Sequence, residues 1–483
     1  MTSVIVIGSG AAGLAAALSA REAGAEVTVL EATQTIGGTT ALSSGAVWLP
    51  NNHLAANDSP EQAREYLRSF NGDTDLCDRF VDEAPRVSRW LEAKTPLWWE
   101  ILPIPDCHGG GHEPGRSLEP RPFRPTAEVD ALVRAGLPWR PPATLSELVT
   151  GWIPPGRDGT LTAGRALVAA LLTAALEAGV TIRTGTRVTR ILSAGVEVDG
   201  APLAGRVVLA TGGFERDEAL VRQFLGRPVP GLAGAPGARG DGLRMAIAAG
   251  AALRNTSDAW WCPTFRVPGD TIDGEPIHRV LLAERSRPGA VLIDRDGLRF
   301  TNEAQSYHEV GRTLRDSGPA WLVVDATYRR QYPIGPVRPG DPDPDWLRRG
   351  ATLAELARLI EVPADTLTKA ITWFNESAVD GRDPDFDRGT NAYDHVMGGP
   401  LGPLREPPLY AVPVHLGLGG TSGGPRIDAD GRVLGEDGAP VPGLYAAGNV
   451  AANPFGGAYP GTGATLGPAL VFGVQAGRAA AGD

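Results

Sequence analysis

Residues 3–31 read SVIVIGSGAAGLAAALSAREAGAEVTVLE, and this stretch decides the fold. A β-branched run ends in Gly8-Ser9-Gly10-Ala11-Ala12-Gly13. An alanine-rich segment of helical composition follows, then a second β-branched run that closes on Glu31. Strand, glycine turn, helix and strand in that order predict a dinucleotide-binding βαβ unit. Gly8 makes the tight turn, Gly10 lets the backbone approach a pyrophosphate, and Gly13 lets the helix pack on the strand. Ser9 and Ala12 share that turn, whose helix N-terminus offers free N–H groups and a positive dipole end to phosphate. Glu31, at the tip of the second strand, suits the two hydroxyls of an adenosine ribose.

Beyond Glu31 the chain passes a second small-residue loop, Gly37-Gly38-Thr39-Thr40, and then SSGAVW at 43–48, which includes Ser44 and Gly45. Such a loop passes close under a long, extended cofactor, which favours FAD over NAD. At 483 residues the chain exceeds what one hydrophobic core supports, so two domains are expected. Hydrophobic residues at 42% and charged residues at 21% are ordinary for a globular protein. A net charge of −11 leaves no basic footprint for nucleic acid or anionic lipid. Lys94 and Lys369 are the only lysines, which argues against imine chemistry. Three cysteines (Cys77, Cys107, Cys262) without CxxC spacing fit a reducing compartment better than a disulfide framework or a zinc site, so no metal is expected. The start MTSVIVIGSG lacks a basic region before its apolar run, and no apolar stretch reaches the ~18 residues of a membrane span. A soluble, cytoplasmic protein is expected.

Further along, Ser59-Pro60-Glu61-Gln62 starts a helix, and another is expected from Asp75 to Glu92, bent or interrupted at Pro85. Residues 96–155, rich in Pro and Gly, read as an irregular excursion that forms a lid or pocket wall. A helix from Gly159 to Gly179, a strand in VTIRTGTRVTRI and the run RVVLATGGF suggest that the first domain resumes. Residues 256–407, with the hairpin AVLIDRDGLRF and helix starts at Thr352 and Pro363, read as a substrate-facing domain. After 408 the first domain is expected to close, with strands near 410–416 and 441–446 and a last helix to about Ala481. The expected divisions are therefore 1–255, 256–407 and 408–483: an α/β fold with a Rossmann-type FAD-binding domain and an inserted α+β substrate (capping) domain.

VIVIGSGAAGLAAALSAREAG, GGTTALSSGAVWLP, ATGGFERD, GDGLRMA, RFTNEAQSY, GLYAAGN and YPGTGATLGPALVFG together resemble the 3-ketosteroid Δ1-dehydrogenase flavoproteins. These belong to the fumarate reductase and succinate dehydrogenase flavoprotein superfamily. The resemblance implies FAD-dependent removal of two hydrogens beside a ring ketone. It implies that Tyr459 and the backbone N–H of Gly463 bind the ketone oxygen, that Tyr307 acts as base, and that hydride leaves to flavin N5. It also extends the cofactor set to Val188, to Ala210, Thr211 and Gly212, to Asp241, to Gly448 and Asn449, and to Thr465 and Leu466. The implied partners are an apolar cyclic ketone and an external electron acceptor, with the protein a monomer. One departure stands out: where the family carries another tyrosine before GRSLEP, this chain has Cys107 and His108.

The chemistry is coherent on its own terms. A C–H beside a ketone becomes acidic when the enolate oxygen is stabilised, and a phenol plus a backbone N–H form such a hole. A helix beginning near Thr465 would point its positive end toward the flavin. An unperturbed phenol has a pKa of about 10, so Tyr307 needs an environment favouring phenolate or a relay such as His308 or water. His108 and Cys107 are expected to be passive loop residues. Trp260-Trp261 fits a pocket wall or core packing equally, and Asp380 to Asp387 reads as a solvated loop. Two rivals are an ene-reductase of the fumarate reductase type and a flavoprotein that only carries electrons.

Overall fold

The computed structural model describes residues 2–109, 111–151 and 156–482. Its opening unit is β1 (Ser3–Ile7), α1 (Ala11–Glu22) and β2 (Glu26–Leu30), with β1 and β2 parallel and Ile5 opposite Thr28. Between β1 and α1 the backbone bends at Gly8 with φ +104°, where a Cβ would lie 2.3 Å from the Ala210 carbonyl oxygen. A Cβ at Gly13 would lie 2.0 Å from the Gly8 carbonyl. Only glycine permits this helix and strand to meet so closely. α1 is buried on every side from Ala11 to Ala20, which is why it is alanine-rich rather than amphipathic. Its other neighbour is the C-terminal helix Leu466–Gly482, where a Cβ at Gly477 would lie 2.1 Å from the Ala16 carbonyl.

Around β1 a six-stranded sheet forms in the spatial order 432–434, 440–446, 206–209, β1, β2, 181–183. All neighbours are parallel except the edge pair 432–434 and 440–446. This is the expected Rossmann-type sheet. A second sheet is centred on the long strand Leu409–Thr421, which pairs with Ala259–Phe265 on one side and Ala320–Val324 on the other. Alternate residues of its strands face two cores. Leu292, Leu322, Val324 and Val412 meet Phe265 and Val310, whereas Val291, Ile293, Val323 and Ala411 meet Leu356, Leu367 and Phe374. Burial on both faces explains why AVLI and AWLVV are continuous apolar runs.

Several expectations need correction. The strand near 410–416 does not close the first sheet but forms the spine of the second. The helix Thr74–Lys94 runs through Pro85 without interruption. In 180–191 only 181–183 and 191–192 are strand, and the 96–155 excursion carries short strands at Trp99–Ile101 and Ser117–Pro120. The loop 380–387 is not wholly solvated. Asp383 is buried, and its carboxylate takes two 2.8 Å hydrogen bonds from Arg299. Among the described residues no helix is long and apolar enough to cross a membrane.

Candidate active site

The first glycine turn presents an N-terminus suited to a ligand. α1 begins after Gly10 with no side-chain cap, and the nearest atom to a Cβ on Gly10 is Thr40 Oγ1 at 3.4 Å. Ala11 N–H donates to that hydroxyl at 3.1 Å. Glu31, 8% exposed, accepts from Ser9 N and Oγ through Oε2 and from Thr33 N and Oγ1 through Oε1. A carboxylate has about four acceptor sites, which these four donors fill, so ribose hydroxyls would bind there by displacing the Ser9 or Thr33 hydroxyl. Ser9 Oγ also accepts from Gly37 N, and Thr39 Oγ1 from Ala235 N at 2.9 Å. Gly38 opens the helix Gly38–Leu42 with free space where a side chain would point. A Cβ on Gly45 would collide with Ala163, so Ser44-Gly45 is held against the start of the helix Ala163–Glu177.

On the other side, Ala210-Thr211-Gly212 follows the strand Arg206–Leu209, and Gly448, Asn449, Thr465 and Ser422 line one cavity. The hydroxyls of Thr211 and Ser422 are buried without a protein partner. Uncapped helix, anchored carboxylate and orphaned hydroxyls fit an extended dinucleotide carrying phosphates and ribitol hydroxyls. Of the expected set, Val188 is packed in the core, and Asp241 accepts a 2.8 Å bond from Arg187. Leu466 begins the C-terminal helix, and its N–H donates to the Gly463 carbonyl.

Tyr459 belongs to a turn pressed onto the SSGAVW segment. Gly463 has φ +100°, and a Cβ there would lie 2.5 Å from Val47 Cα; a Cβ on Gly461 would lie 2.2 Å from the Trp48 ring. Trp48 N–H donates to the Gly463 carbonyl, and its Nε1 donates to Asp106 at 2.7 Å. Asp106 is buried and also accepts from Arg116. The next two residues fasten the turn by its carbonyls. Cys107 N–H donates to Pro460 O at 2.9 Å, and His108 Nε2 lies 3.2 Å from Tyr459 O. Tyr66 Oη donates to Pro460 O as well. Cys107 and His108 are thus fasteners rather than passive loop residues. Trp48 lies within SSGAVW but does not itself stand out there, and Tyr66 and Asp106 carry no motif that would have singled them out.

Held in this way, Tyr459 is 4% exposed, and its hydroxyl accepts from Gly463 N–H at 3.2 Å. The Tyr307 ring lies 5.1 Å from it, centroid to centroid, with Trp260 and His308 each 5.8 Å away. Trp260 therefore belongs to the site wall. Its Nε1 donates to Asn449 at 3.2 Å. Burial pushes the Tyr459 phenol up to about 12, against its interactions with Tyr307 and Gly463 N–H. It remains a donor throughout the neutral range. Tyr307 is raised well above 10, first by burial and then by Tyr459, toward whose oxygen its own hydroxyl donates. The pocket as it stands thus disfavours phenolate at Tyr307. His308 is held neutral: its Nε2 bonds to Gly457 O at 2.8 Å, burial depresses its pKa to about 3, and among the described residues its Nδ1 has no partner.

Tyr307 starts the helix Tyr307–Ser317, and the NEAQ residues before it are pinned by buried charge. Glu303, 0% exposed, is bridged by Arg299 at 2.8 Å and Arg388 at 2.9 Å. Asn302 Nδ2 donates to Asp394 at 2.9 Å, which brings the short turn Ala392–His395 to the same place. Tyr393 on that turn is a third phenol of the cluster, unmarked in the sequence.

Beside the cofactor loop, Glu215 is 3% exposed, with Oε2 unpartnered. Burial raises its pKa from an ordinary 4.5 to about 7. The folded state thus holds a proton that the unfolded chain releases, so stability falls as pH rises from about 4.5 to about 7. At about 1.4 kcal/mol per unit, the loss is about 3 kcal/mol. Thermal melting across this range should show the wild-type midpoint falling relative to that of Glu215→Gln, the difference being read because buried His308 titrates alike in both.

A family profile described as "FAD binding domain" matches residues 3–466. The chain is 38% identical to the 4-oxocyclohexanecarboxylate 2-dehydrogenase of Sinomonas cyclohexanicum, covering 99% of this chain and 93% of that one. It is 34% identical to the 3-oxosteroid 1-dehydrogenase of Mycobacterium tuberculosis H37Rv, covering 98% and 97% respectively. Among solved structures, the 3-ketosteroid Δ1-dehydrogenase of Sterolibacterium denitrificans in complex with 1,4-androstadiene-3,17-dione superposes over 100% of both chains, with TM-score 0.91 and 32% identity.

Proposed function

The chain belongs to the FAD-binding domain family, and on that premise we propose that it is an FAD-dependent dehydrogenase placing a C=C bond next to a ring ketone. The observation that carries this reading is the 3.2 Å approach of Gly463 N–H to the Tyr459 hydroxyl in a buried pocket. The amide donates to the phenol oxygen, so a ketone oxygen that takes that position's N–H receives the adjacent phenol O–H as well. That pair lowers the cost of charge on the oxygen as the α-proton departs. Tyr307, whose ring faces Tyr459, takes the α-proton. FAD, when bound, accepts hydride from the adjacent carbon, and an external acceptor then takes the electrons.

Gly8, Gly10 and Gly13 with the α1 N-terminus hold the pyrophosphate, and Glu31 holds the ribose. Ser44, Gly45, Gly448, Asn449 and Thr465 border the flavin. The curated relatives named above support ring ketones over fumarate-like acids as substrates, and they include both a small cyclohexanone acid and a steroid. The test is to incubate the purified yellow protein with an artificial electron acceptor and, separately, 4-oxocyclohexanecarboxylate, cyclohexanone and a 3-ketosteroid. An enone product from at least one of them is expected. Full FAD loading with no desaturation of any of the three would overturn the reading.

A further inference from the structure

A phenol acts as a base only as its anion, yet Tyr307 lies among neutral, buried groups. Tracing where positive charge reaches this cluster leads to Tyr393. Its side chain packs both against the core that contains Tyr459 and against the small cluster of Ala46, Leu102 and Ile104. It lies beside the Cys107 thiol and the Thr462 hydroxyl, within electrostatic reach of both Tyr307 and Tyr459. The turn that carries it is pinned on two sides. Asp394 accepts from Asn302, close before Tyr307, and Asn391 donates to the Cys107 carbonyl at 3.4 Å.

Behind Tyr393 stands Arg285, 2% exposed. Its Nε donates to Leu281 O at 2.9 Å, and its Nη1 donates to Gln305 O at 2.7 Å and to Glu303 O. Arg285 thus grips the backbone immediately before Tyr307. Among the described residues its partners are carbonyl oxygens, with no carboxylate at ion-pair distance. Burial lowers its pKa to about 10, which leaves the guanidinium charged at neutral pH. The charged groups that reach it or Tyr393 are Arg388, Glu284 and Asp394, the last on the same turn as Tyr393.

We propose that Tyr393 is a positioning residue through which Tyr307 acts: with Arg285 behind it, the Tyr393 hydroxyl completes the phenol cluster that receives the substrate's α-proton. The inference rests on the functional reading above. In the competent state the cluster has already given one proton to solvent, and the resulting phenolate is shared between Tyr307 and Tyr393 opposite Arg285. The α-C–H bond then breaks, its proton forms an O–H on Tyr307, and its electron pair enters the enolate held by Tyr459 and Gly463. FAD, where bound, would take hydride from the neighbouring carbon and so leave the enone.

The test compares wild type with Tyr393→Phe in the FAD-loaded full-length protein. Tyr393→Phe should lower kcat by about 10–100-fold while KM stays within about threefold. FAD content and melting temperature should be unchanged. Wash-in of deuterium at the ketone α-carbon, followed by NMR in D2O, should slow by the same factor as kcat. The rise of rate with pH should move to higher pH. In Tyr393→His, whose ring titrates near pH 6.5, the rise should move to lower pH instead. A wild-type kcat and exchange rate in Tyr393→Phe, or a changed KM with unchanged kcat, would overturn the inference. Loss of bound FAD would do so too, since it would make Tyr393 a packing residue. If wild type desaturates no ring ketone, the functional reading fails; if it does and Tyr393→Phe matches it, only this inference fails.

Discussion

Tyr307→Phe should lower kcat/KM for a ring ketone by about 10²–10⁴-fold, the range a positioned general base contributes. Phenylalanine keeps the ring that faces Tyr459 and fills the same space, so the fold, FAD loading and ketone affinity should hold. The loss should appear in the rate of flavin reduction, measured by mixing protein and ketone anaerobically. The pH profile carries a second expectation. Burial and Tyr459 hold the Tyr307 phenol well above its ordinary 10, so its anionic fraction at neutral pH is small and grows tenfold per pH unit. The wild-type rate should therefore climb with unit slope through the alkaline range, with no plateau near neutrality. A profile flat above pH 7, or a Tyr307→Phe variant within about threefold of wild type, would remove Tyr307 from the proton transfer.

Tyr459→Phe should reduce kcat by about 10²–10³-fold, or about 3–4 kcal/mol, as expected when one of two donors to a developing oxyanion is removed. Gly463 N–H remains in place but loses the hydroxyl it donates to. The residual activity therefore measures what the amide achieves alone. Because Tyr459 remains protonated up to about pH 12 but helps to hold the Tyr307 phenol up, its loss should lower the pH profile and move the rise to lower pH without abolishing it. That difference separates it from Tyr307→Phe. Combining both substitutions should cost less than the product of the single effects, because proton removal and oxyanion stabilisation belong to one step. A fully multiplicative double variant would mean that the two phenols act in separate steps.

What the sequence disclosed was local chemistry. Gly8, Gly10, Gly13 and Glu31 announce themselves because phosphate and ribose binding need those residues at that spacing between a strand and a helix. Tyr459 and Gly463 are legible for the same reason: phenol and amide lie on one short turn. The strand at 409–421 was misassigned because an apolar run reveals that it is buried, not which sheet it joins; its partners at 259–265 and 320–324 are set by packing far along the chain. Tyr393, Asp106 and Trp48 were invisible on the same ground. Each acquires its role only when distant segments meet, as Asn302 meets Asp394 and Cys107 meets Pro460. The helix through Pro85 shows packing overriding a local breaker.

The seating of Gly461 and Gly463 against Val47 and Trp48 makes the proposed grip on the carbonyl and the proposed floor beneath the cofactor parts of one rigid body. Neither glycine can acquire a side chain without prising them apart. Divergence toward new ketones is thereby steered away from this seam and toward the walls around it.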